Sequence, residues 1–297
     1  MKLDAEPTKS PITAVYRHVV VALRKIAPEK WGRIEGREDH LTLRVPDIGR
    51  WIFEASPSMD VVVLSRGALE IVWSLAYGYV MLHRARYEEG LGEHFDPHSE
   101  PFTAPAVRLL DWAMERWATG EDSTWPDDLP RPVVDAPLGT MENVADELAL
   151  CATALFLHHE VAHCQPENLA EPNELLREKL ADLEAAKILL DEAGGNITFF
   201  WKRALAVAVG FSAMVGYGIK RRDNGGSEGH PPHHERLLDA LEPYISDDAS
   251  HLAWKMAVAV LDYHARRAGL PDPLVGGTYR EKAHAYARLL DAQQTSK

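Results

Sequence analysis

Cysteine is nearly absent from this 297-residue sequence, which contains only Cys151 and Cys164. Both lie in one apolar stretch that the sequence predicts to be helical, and a continuous helix would separate them by roughly 20 Å at about 1.5 Å per residue. A disulfide needs Cα atoms about 4.4–6.8 Å apart, so this pair cannot form one. The composition excludes a disulfide-stabilised scaffold and favours a reducing compartment.

Long hydrophobic runs are also lacking. The first residues contain Asp4 and no apolar run before a small-residue cleavage site, so we expect no secretory leader. The most apolar stretch, residues 204–219, contains three glycines and is shorter than the about 20 residues that a transmembrane helix needs. We interpret this stretch as a buried core helix, with a membrane-associated helix as the alternative, and we expect a cytoplasmic protein without a clear membrane span.

The sequence has fewer basic than acidic residues. It contains 32 Lys and Arg residues and 45 Asp and Glu residues, which gives a formal net charge of -13. An acidic surface repels phosphate backbones, so nucleic acid is not expected as a partner. The hydrophobic share of 46% and the charged share of 26% are ordinary for a globular protein. We therefore expect a folded domain with a sizeable core.

Helical spacing of apolar residues dominates the chain, and strand alternation is confined to one short region. A small antiparallel sheet is predicted from strands at 41–45, 51–55 and 61–65. Helices are predicted at 11–26, 67–90, 104–118, 143–164, 173–193, 198–219, 233–243, 249–268 and 279–293. The predicted fold class is therefore mainly α with a small antiparallel β-sheet (α+β).

The sequence HEVAH at 159–163 is an HExxH motif within a stretch that has helical character. Residues four apart share one helix face, so the imidazoles of His159 and His163 can both bind one ion at about 2.0–2.1 Å. Glu160 lies one step round the helix, where its carboxylate can take a proton from a water molecule that the metal activates. Because the chain has 14 histidines, this motif needs a second signal. The neighbouring His158 is better explained as a core residue than as a ligand.

That second signal is a pair of acids four residues apart, Glu178 and Asp182, one short loop after the HExxH motif. A catalytic zinc ion keeps three protein ligands, and Glu178 is suited to be the third. Asp182 can accept the remote N–H of a metal-binding imidazole and so orient it. The alternative is that both acids are solvated surface charges, but their position favours the metal interpretation.

The helix that carries these acids has its own local signals. Asn173 is predicted to cap its first turn. Its apolar stripe is predicted to consist of Leu176, Leu180, Leu183 and Leu190. Small alanines around the two acids permit another helix to approach closely.

The loop sequence GHPPHHERL at 229–237 is a third candidate element. Its prolines restrict the backbone, and His230 could reach the open side of the metal site. There it would either stabilise the developing oxyanion or act as a fourth ligand in a resting state. The alternative is a polar loop whose histidines are solvated.

The ordered set HEVAH, EKLAD and HPPHHER resembles the gluzincin metallopeptidases of the HtpX type. The layout of the chain looks closest to the Lit-type peptidase family, cytoplasmic proteases of bacterial phage exclusion, and the motif match covers about 61–236. The resemblance implies one Zn2+ per chain, held by His159, His163 and Glu178. It also implies Glu160 as the general base, Asp182 as a residue that supports the metal ligands from behind, and His230 and Arg236 as a supporting element.

The same resemblance carries expectations about the substrate. It implies a protein or peptide substrate whose extended backbone pairs with an edge strand formed by Val61, Val62, Val63 and Leu64. It also implies a translation elongation factor as a candidate target. The stretch 91–142 departs from the pattern, because it is longer than the usual connection in the HtpX type, and it is predicted to be an irregular insertion or lid.

Together these features predict a zinc-dependent endopeptidase, with phage defence as the role that the resemblance implies. We expect one metallopeptidase domain over 1–297. Its parts are an N-terminal scaffold at 11–90, the insertion at 91–142, the zinc-site core at 143–236 and C-terminal helices at 237–297. The alternatives are a zinc hydrolase that acts on another amide or ester, and an inactive helical binding protein with a vestigial metal site.

Overall fold

A computed structural model describes residues 10–12, 15, 42–56, 58, 61–91, 95–191, 197–221, 230–246, 251–273 and 276–295. Its strands are β1 (Thr42–Arg44), β2 (Phe53–Ser56) and β3 (Val61–Leu64). Its helices are α1 (Arg66–Tyr87), α2 (Ala104–Thr119), α3 (Met141–His163), α4 (Pro166–Leu169), α5 (Glu174–Leu190), α6 (Ile197–Arg221), α7 (His233–Leu241), α8 (Leu252–Arg267) and α9 (Tyr279–Thr295). The predicted class, mainly α with a small sheet, is confirmed. Most of the helix predicted at 11–26 lies outside the described residues.

The sheet has the strand order β1–β3–β2. The hairpin partners β2 and β3 are antiparallel, as expected, but β1 pairs with β3 in parallel. The prediction of a wholly antiparallel sheet is therefore wrong. Alternation along a strand indicates which side chains share a face, but it does not determine which strands become neighbours.

The central position of β3 contradicts a second expectation. Val61–Leu64 pair with β1 on one side and with β2 on the other, so their backbone groups cannot accept an added substrate strand. Three of these four residues are buried. Within the described part of the chain, β2 is instead the edge strand that lies against α3.

Helix α6 runs through the core, where it contacts α3, α8 and α7 most extensively. Its glycines permit close packing: a Cβ at Gly210 would lie 2.9 Å from Leu155 on α3, and one at Gly216 would lie 2.4 Å from His264 on α8. Among the described helices, α6 is long and apolar enough to cross a membrane, but 56% of its most apolar window is buried inside the protein. This burial agrees with the interpretation of 204–219 as a core helix.

Helix α5 buries a different face from the predicted one. Leu176 and Leu180 are 41% and 40% exposed, whereas Ala181 and Ala185 are fully buried. The small alanines let α5 approach α3 closely, and they share that face with the two acids of the helix. The predicted leucine stripe is therefore wrong for Leu176 and Leu180, whereas Leu183 is half-buried and Leu190 is buried.

The predicted start of α5 is confirmed. The side chain of Asn173 accepts a hydrogen bond from the backbone N–H of Leu176 at 3.2 Å, and Asn173 stands directly before the first helical residue. A cap of this kind satisfies a backbone donor that has no partner within the helix. It fixes the point at which α5 begins. The positions of Glu178 and Asp182 along the α5 axis, opposite α3, follow from that starting point.

Candidate metal centre

The last turn of α3 carries both histidines of the HExxH motif. The helix begins at a cap in which the Thr140 side chain accepts from Asn143 N, and it ends at His163. Most of its residues are buried among α1, α5 and α6. Because tertiary packing on several sides fixes this helix, its final turn holds His159 and His163 in one orientation towards α5.

Three potential ligand atoms converge between α3 and α5. The Nε2 atoms of His159 and His163 lie 3.1 Å apart. In the Glu178 carboxylate, Oε2 lies 3.4 Å from His159 Nε2 and Oε1 lies 3.2 Å from His163 Nε2. Tetrahedral ligands about 2.0–2.1 Å from a zinc ion are about 3.3 Å apart. The separations in this protein therefore fit one small ion at the common point of the three side chains.

Glu178 supplies a further test of that fit. Its Oε2 atom is buried and receives no hydrogen bond of good geometry. A buried carboxylate oxygen without a donor is costly unless a cation neutralises it. Oε2 lies 3.4 Å from His159 Nε2 and Oε1 of the same carboxylate lies 3.2 Å from His163 Nε2, so the carboxylate faces the position that the ligand distances define.

His159 is oriented by a buried ion pair behind it. Its Nδ1 atom lies 2.9 Å from Asp182 Oδ1. Asp182 also accepts two hydrogen bonds from Arg236, from Nε at 2.6 Å and from Nη2 at 2.7 Å. Asp182 and Arg236 are both buried. This two-bond pairing fixes the carboxylate, and the carboxylate in turn fixes the imidazole ring with Nε2 towards the metal position.

His163 has an equivalent partner that the sequence did not reveal. Its Nδ1 atom lies 3.1 Å from Asn168 Oδ1, and the Asn168 amide donates to the backbone carbonyl of Arg177 at 2.8 Å. Asn168 is buried in the short helix α4, between α3 and α5. No periodicity or motif spacing singles out an asparagine five residues after the motif, because its role depends on how α4 folds back.

The electrostatic environment of the centre favours a cation. Burial lowers the pKa of His159, but the interactions with Asp182 and Glu178 outweigh it and raise the pKa to about 9. Burial raises the pKa of Glu178, but its close interactions with the imidazoles of His159 and His163 hold it well below its usual range. Negative charge that stabilises a proton on an imidazole also stabilises a metal ion in its place.

Glu160 lies beside the three ligand side chains and is not one of them. Its Oε2 atom accepts a hydrogen bond from the backbone N–H of Ala55 in β2, at 2.6 Å. Burial raises the pKa of the Glu160 carboxyl, against the opposing effect of the two histidines. Strand β2 also packs on α3 one helical turn before Glu160, where the rings of Phe53 and Phe156 are 5.6 Å apart.

His230 lies at the open side of the centre. Its Nε2 atom is 3.6 Å from Glu178 Oε2, and 54% of its side chain is exposed. The glycine-rich residues before it, 222–229, are outside the described part of the chain. His158 is buried, and burial lowers its pKa to about 4, which agrees with its interpretation as a core residue.

The fold therefore brings together seven of the residues that the sequence singled out: His159, Glu160, His163, Glu178, Asp182, His230 and Arg236. It does not bring Val61–Leu64 to the centre as an exposed edge. Asn168 and Ala55 are additions that only the packing reveals. The arrangement has the parts that metal-assisted hydrolysis needs: a ligand set, a carboxylate beside it and an open side.

Comparisons with known proteins agree on the kind of enzyme. Residues 62–257 match the family described as Peptidase U49. The chain is 26% identical over 210 residues to the cell death peptidase of Escherichia coli (strain K12), and the alignment covers 67% of this chain and 71% of that protein. No solved structure matches the chain. All seven residues named above lie within the matched range.

Proposed function

This chain belongs to the peptidase U49 family, and from that membership we propose that it is a zinc-dependent endopeptidase acting on a protein substrate. The family match and the similarity to a cell death peptidase support peptide-bond hydrolysis and bear out the Lit-type resemblance of the motifs. One observation supports the metal: ligand atoms of His159, His163 and Glu178 converge on a single point.

Two imidazoles and one carboxylate form a ligand set that suits zinc, which in catalytic sites takes three protein ligands and keeps one position open. His159 and His163 would bind through Nε2, because Nδ1 of each faces an acceptor oxygen. When bound, the ion would polarise the peptide carbonyl and lower the pKa of the attacking water. We propose one ion per chain.

Glu160 is the proposed general base. It would take the proton of the attacking water and pass it to the leaving amine, a role that typically contributes about 10²–10⁴-fold. Burial raises its pKa, which brings the carboxyl closer to the pH at which it must both accept and donate a proton. The hydrogen bond from Ala55 N restricts the carboxylate to the side that faces the metal position.

His230 and Arg236 have separate proposed roles. Arg236 acts through Asp182 on the orientation of His159. His230 is exposed and near Glu178, so it can donate a hydrogen bond to the oxyanion that forms from the carbonyl, or it can occupy the open position in a resting state. These two roles of His230 predict opposite effects of its removal.

Strand β2 takes the substrate-binding role that the sequence suggested for Val61–Leu64. Ser65 N donates to Ile52 O, and Ile52 N donates to Ser65 Oγ, so Ile52 faces the hairpin partner. Backbone groups alternate along a strand, which directs those of Phe53 and Ala55 away from β3. The Ala55 N–H does reach Glu160. An extended substrate pairing with this edge would lie across the metal centre.

The biological role is proposed from the resemblance. The name cell death peptidase belongs to the E. coli relative. We propose for this chain a role in phage defence, in the cytoplasm, with a translation elongation factor as the first target to test.

The decisive experiment compares wild-type protein with Glu160→Gln in bacterial cells. New protein N-termini would be measured across the proteome at matched expression, and they are expected with wild type alone. Zinc would be measured in both purified proteins, because Glu160→Gln should retain the ion. Identical N-terminal profiles, under conditions that include phage infection, would contradict the proposal.

A further inference from the structure

A cavity of about 350 Å3 lies between the end of α1, residues 95–98 and α8. Its lining residues do not include any from α3, α5 or α7, which carry the metal centre. Trp73 on α1 donates to Asp146 near the start of α3 at 2.6 Å. The cavity begins more than two turns further along α1, at Leu82, whereas the metal-binding histidines are at the opposite end of α3. The cavity and the metal centre are therefore separate.

The larger part of the cavity wall is apolar. Leu82, Phe95, Ala259 and Tyr263 line it together with Pro97. Leu82 and Ala259 are buried in their own helices, so the walls are parts of the packed core and do not depend on a surface loop alone. Small-molecule sites commonly have volumes of about 300–1,000 Å3 and largely apolar walls with a few polar groups.

Arginine is the most frequent titratable residue in the lining of the cavity. The lining contains Arg86, Arg266 and Arg267 together with Asp96, Asp262 and His98. Arg86 donates to Asp262 at 2.6 Å, and both are buried. Arg266 donates to the same aspartate at 3.0 Å. Asp262 therefore pairs with two of the three arginines, whereas Arg267 pairs with Asp111, which is outside the lining.

Arg267 is placed to bind a ligand at the rim. It pairs with Asp111 and donates to Tyr263 Oη at 3.1 Å, in both cases through Nη1. A guanidinium has five N–H donors in a planar fork, and the side chain of Arg267 is 40% exposed. The fork lies over the Tyr263 ring, with Cζ 5.8 Å from its centroid. An anion can therefore be bound beside an aromatic wall.

We propose that this cavity binds a small organic anion with an apolar body, of the aryl or alkyl carboxylate, sulfonate or phosphate ester class. The apolar body would pack against Leu82, Phe95 and Tyr263, and the anionic group would face Arg267. This site is independent of the proposed peptidase mechanism, because it shares no residue with the metal centre.

Calorimetric titration with naphthalene-1-sulfonate tests the ligand class, since a sulfonate is a weak zinc ligand. One equivalent should bind per chain. The neutral analogue 1-naphthalenemethanol should bind about tenfold more weakly, because it lacks the charge-assisted hydrogen bond. Equal affinities for the anion and the neutral analogue would overturn the proposal.

Matched variants locate the site. Arg267→Gln should weaken binding of the sulfonate about tenfold, whereas Arg131→Gln, an arginine of equal exposure in the 120–140 loop, should leave it unchanged. Ala259→Trp should fill the cavity and abolish binding. If that variant does not fold, the Arg267 and Arg131 pair decides the question. Glu178→Ala should bind the probe normally, and loss of binding in this variant would place the probe at the metal centre and refute the proposal.

Discussion

Two buried charge clusters in this protein look alike in composition and differ in what their atoms contact. In one, Glu70 on α1 receives Arg66 at 2.8 and 2.9 Å and pairs with Arg116 at 2.5 Å. The Ser10 hydroxyl donates to it as well. In the other, Asp182 and Arg236 hold His159. Burial and charge alone therefore do not distinguish a structural cluster from a site.

The two clusters differ in whether neighbouring side chains bind all of their carboxylate oxygens. Both oxygens of Glu70 are engaged by its neighbours, and Arg116 donates onward to the carbonyl of Gly49 at 2.5 Å. That cluster closes on itself and ties the segment before β2 to α1 and α2. At the metal centre, three ligand atoms converge and Glu178 Oε2 lacks a hydrogen-bond donor. Because Arg116 Nε in the first cluster also lacks a hydrogen-bond partner, the convergence of three ligand atoms on one point is the feature that indicates a ligand.

The largest expected effect separates the ligands from the base within the metal centre. Glu160→Gln should retain zinc and lower turnover by about 10²–10⁴-fold, because it removes proton transfer alone. His163→Ala should lose the zinc itself, because two protein ligands hold a zinc ion poorly. Metal analysis and peptidase assays on the same preparations check both. A metal-free Glu160→Gln protein would show that the roles are assigned wrongly.

The second prediction breaks the closed cluster. Glu70→Ala removes the closest counter-charge of the buried Arg116 guanidinium and should lower the free energy of unfolding by about 3–5 kcal/mol. Urea denaturation measures this change, and zinc content per folded chain should stay constant. Glu115→Ala is the control, since it removes an exposed partner of Lys220 and should change stability by less than about 1 kcal/mol. Unchanged stability in Glu70→Ala would show that the first cluster is not structural.

The third prediction concerns the open side of the centre. If His230 donates to the oxyanion, His230→Ala should lower kcat about 10²–10³-fold, with little change in melting temperature. If it is a resting ligand, activity should be equal or higher and zinc affinity lower. A variant with unaltered activity, zinc affinity and stability would show that the loop is only a solvated connection.

The smallest expected effect tests the partners behind the imidazoles. Asp182→Asn and Asn168→Ala should each lower zinc affinity or activity by about 10–100-fold, as the loss of partners hydrogen-bonded to metal ligands does. Competition with a chelator measures the affinity. Loss of zinc in Asp182→Asn as severe as in Glu178→Ala would indicate that Asp182 is itself a ligand.

Local patterns predicted the helices closely. The helix predicted at 104–118 is Ala104–Thr119, and the one predicted at 233–243 is His233–Leu241. Hydrophobic periodicity and caps act within a few residues, so they can be read without knowing the fold. The HExxH motif belongs to the same class, because residues four apart meet on any helix.

The order of the strands, the buried face of α5 and the partner of His163 depended on the whole chain. Leu176 and Leu180 have the spacing of a buried stripe, but they are exposed. The face that packs against α3 is instead the one with Ala181 and Ala185, which permit a closer approach of the two helices. Close packing at that face also placed the two acids against the histidines. Which of two possible faces is buried depends on the shape of the neighbouring helix, and no local pattern records it.

The sequence by itself therefore determined which chemical groups the candidate site contains: two imidazoles and a carboxylate on one helix, and two acids on the next. Only the tertiary structure decided which atoms meet. It placed Ala55 N against Glu160, Asn168 against His163, and β3 inside the sheet where substrate cannot pair. The physical reason is range: helix geometry fixes neighbours three or four residues apart, whereas contacts between distant segments are fixed by the packing of the entire core.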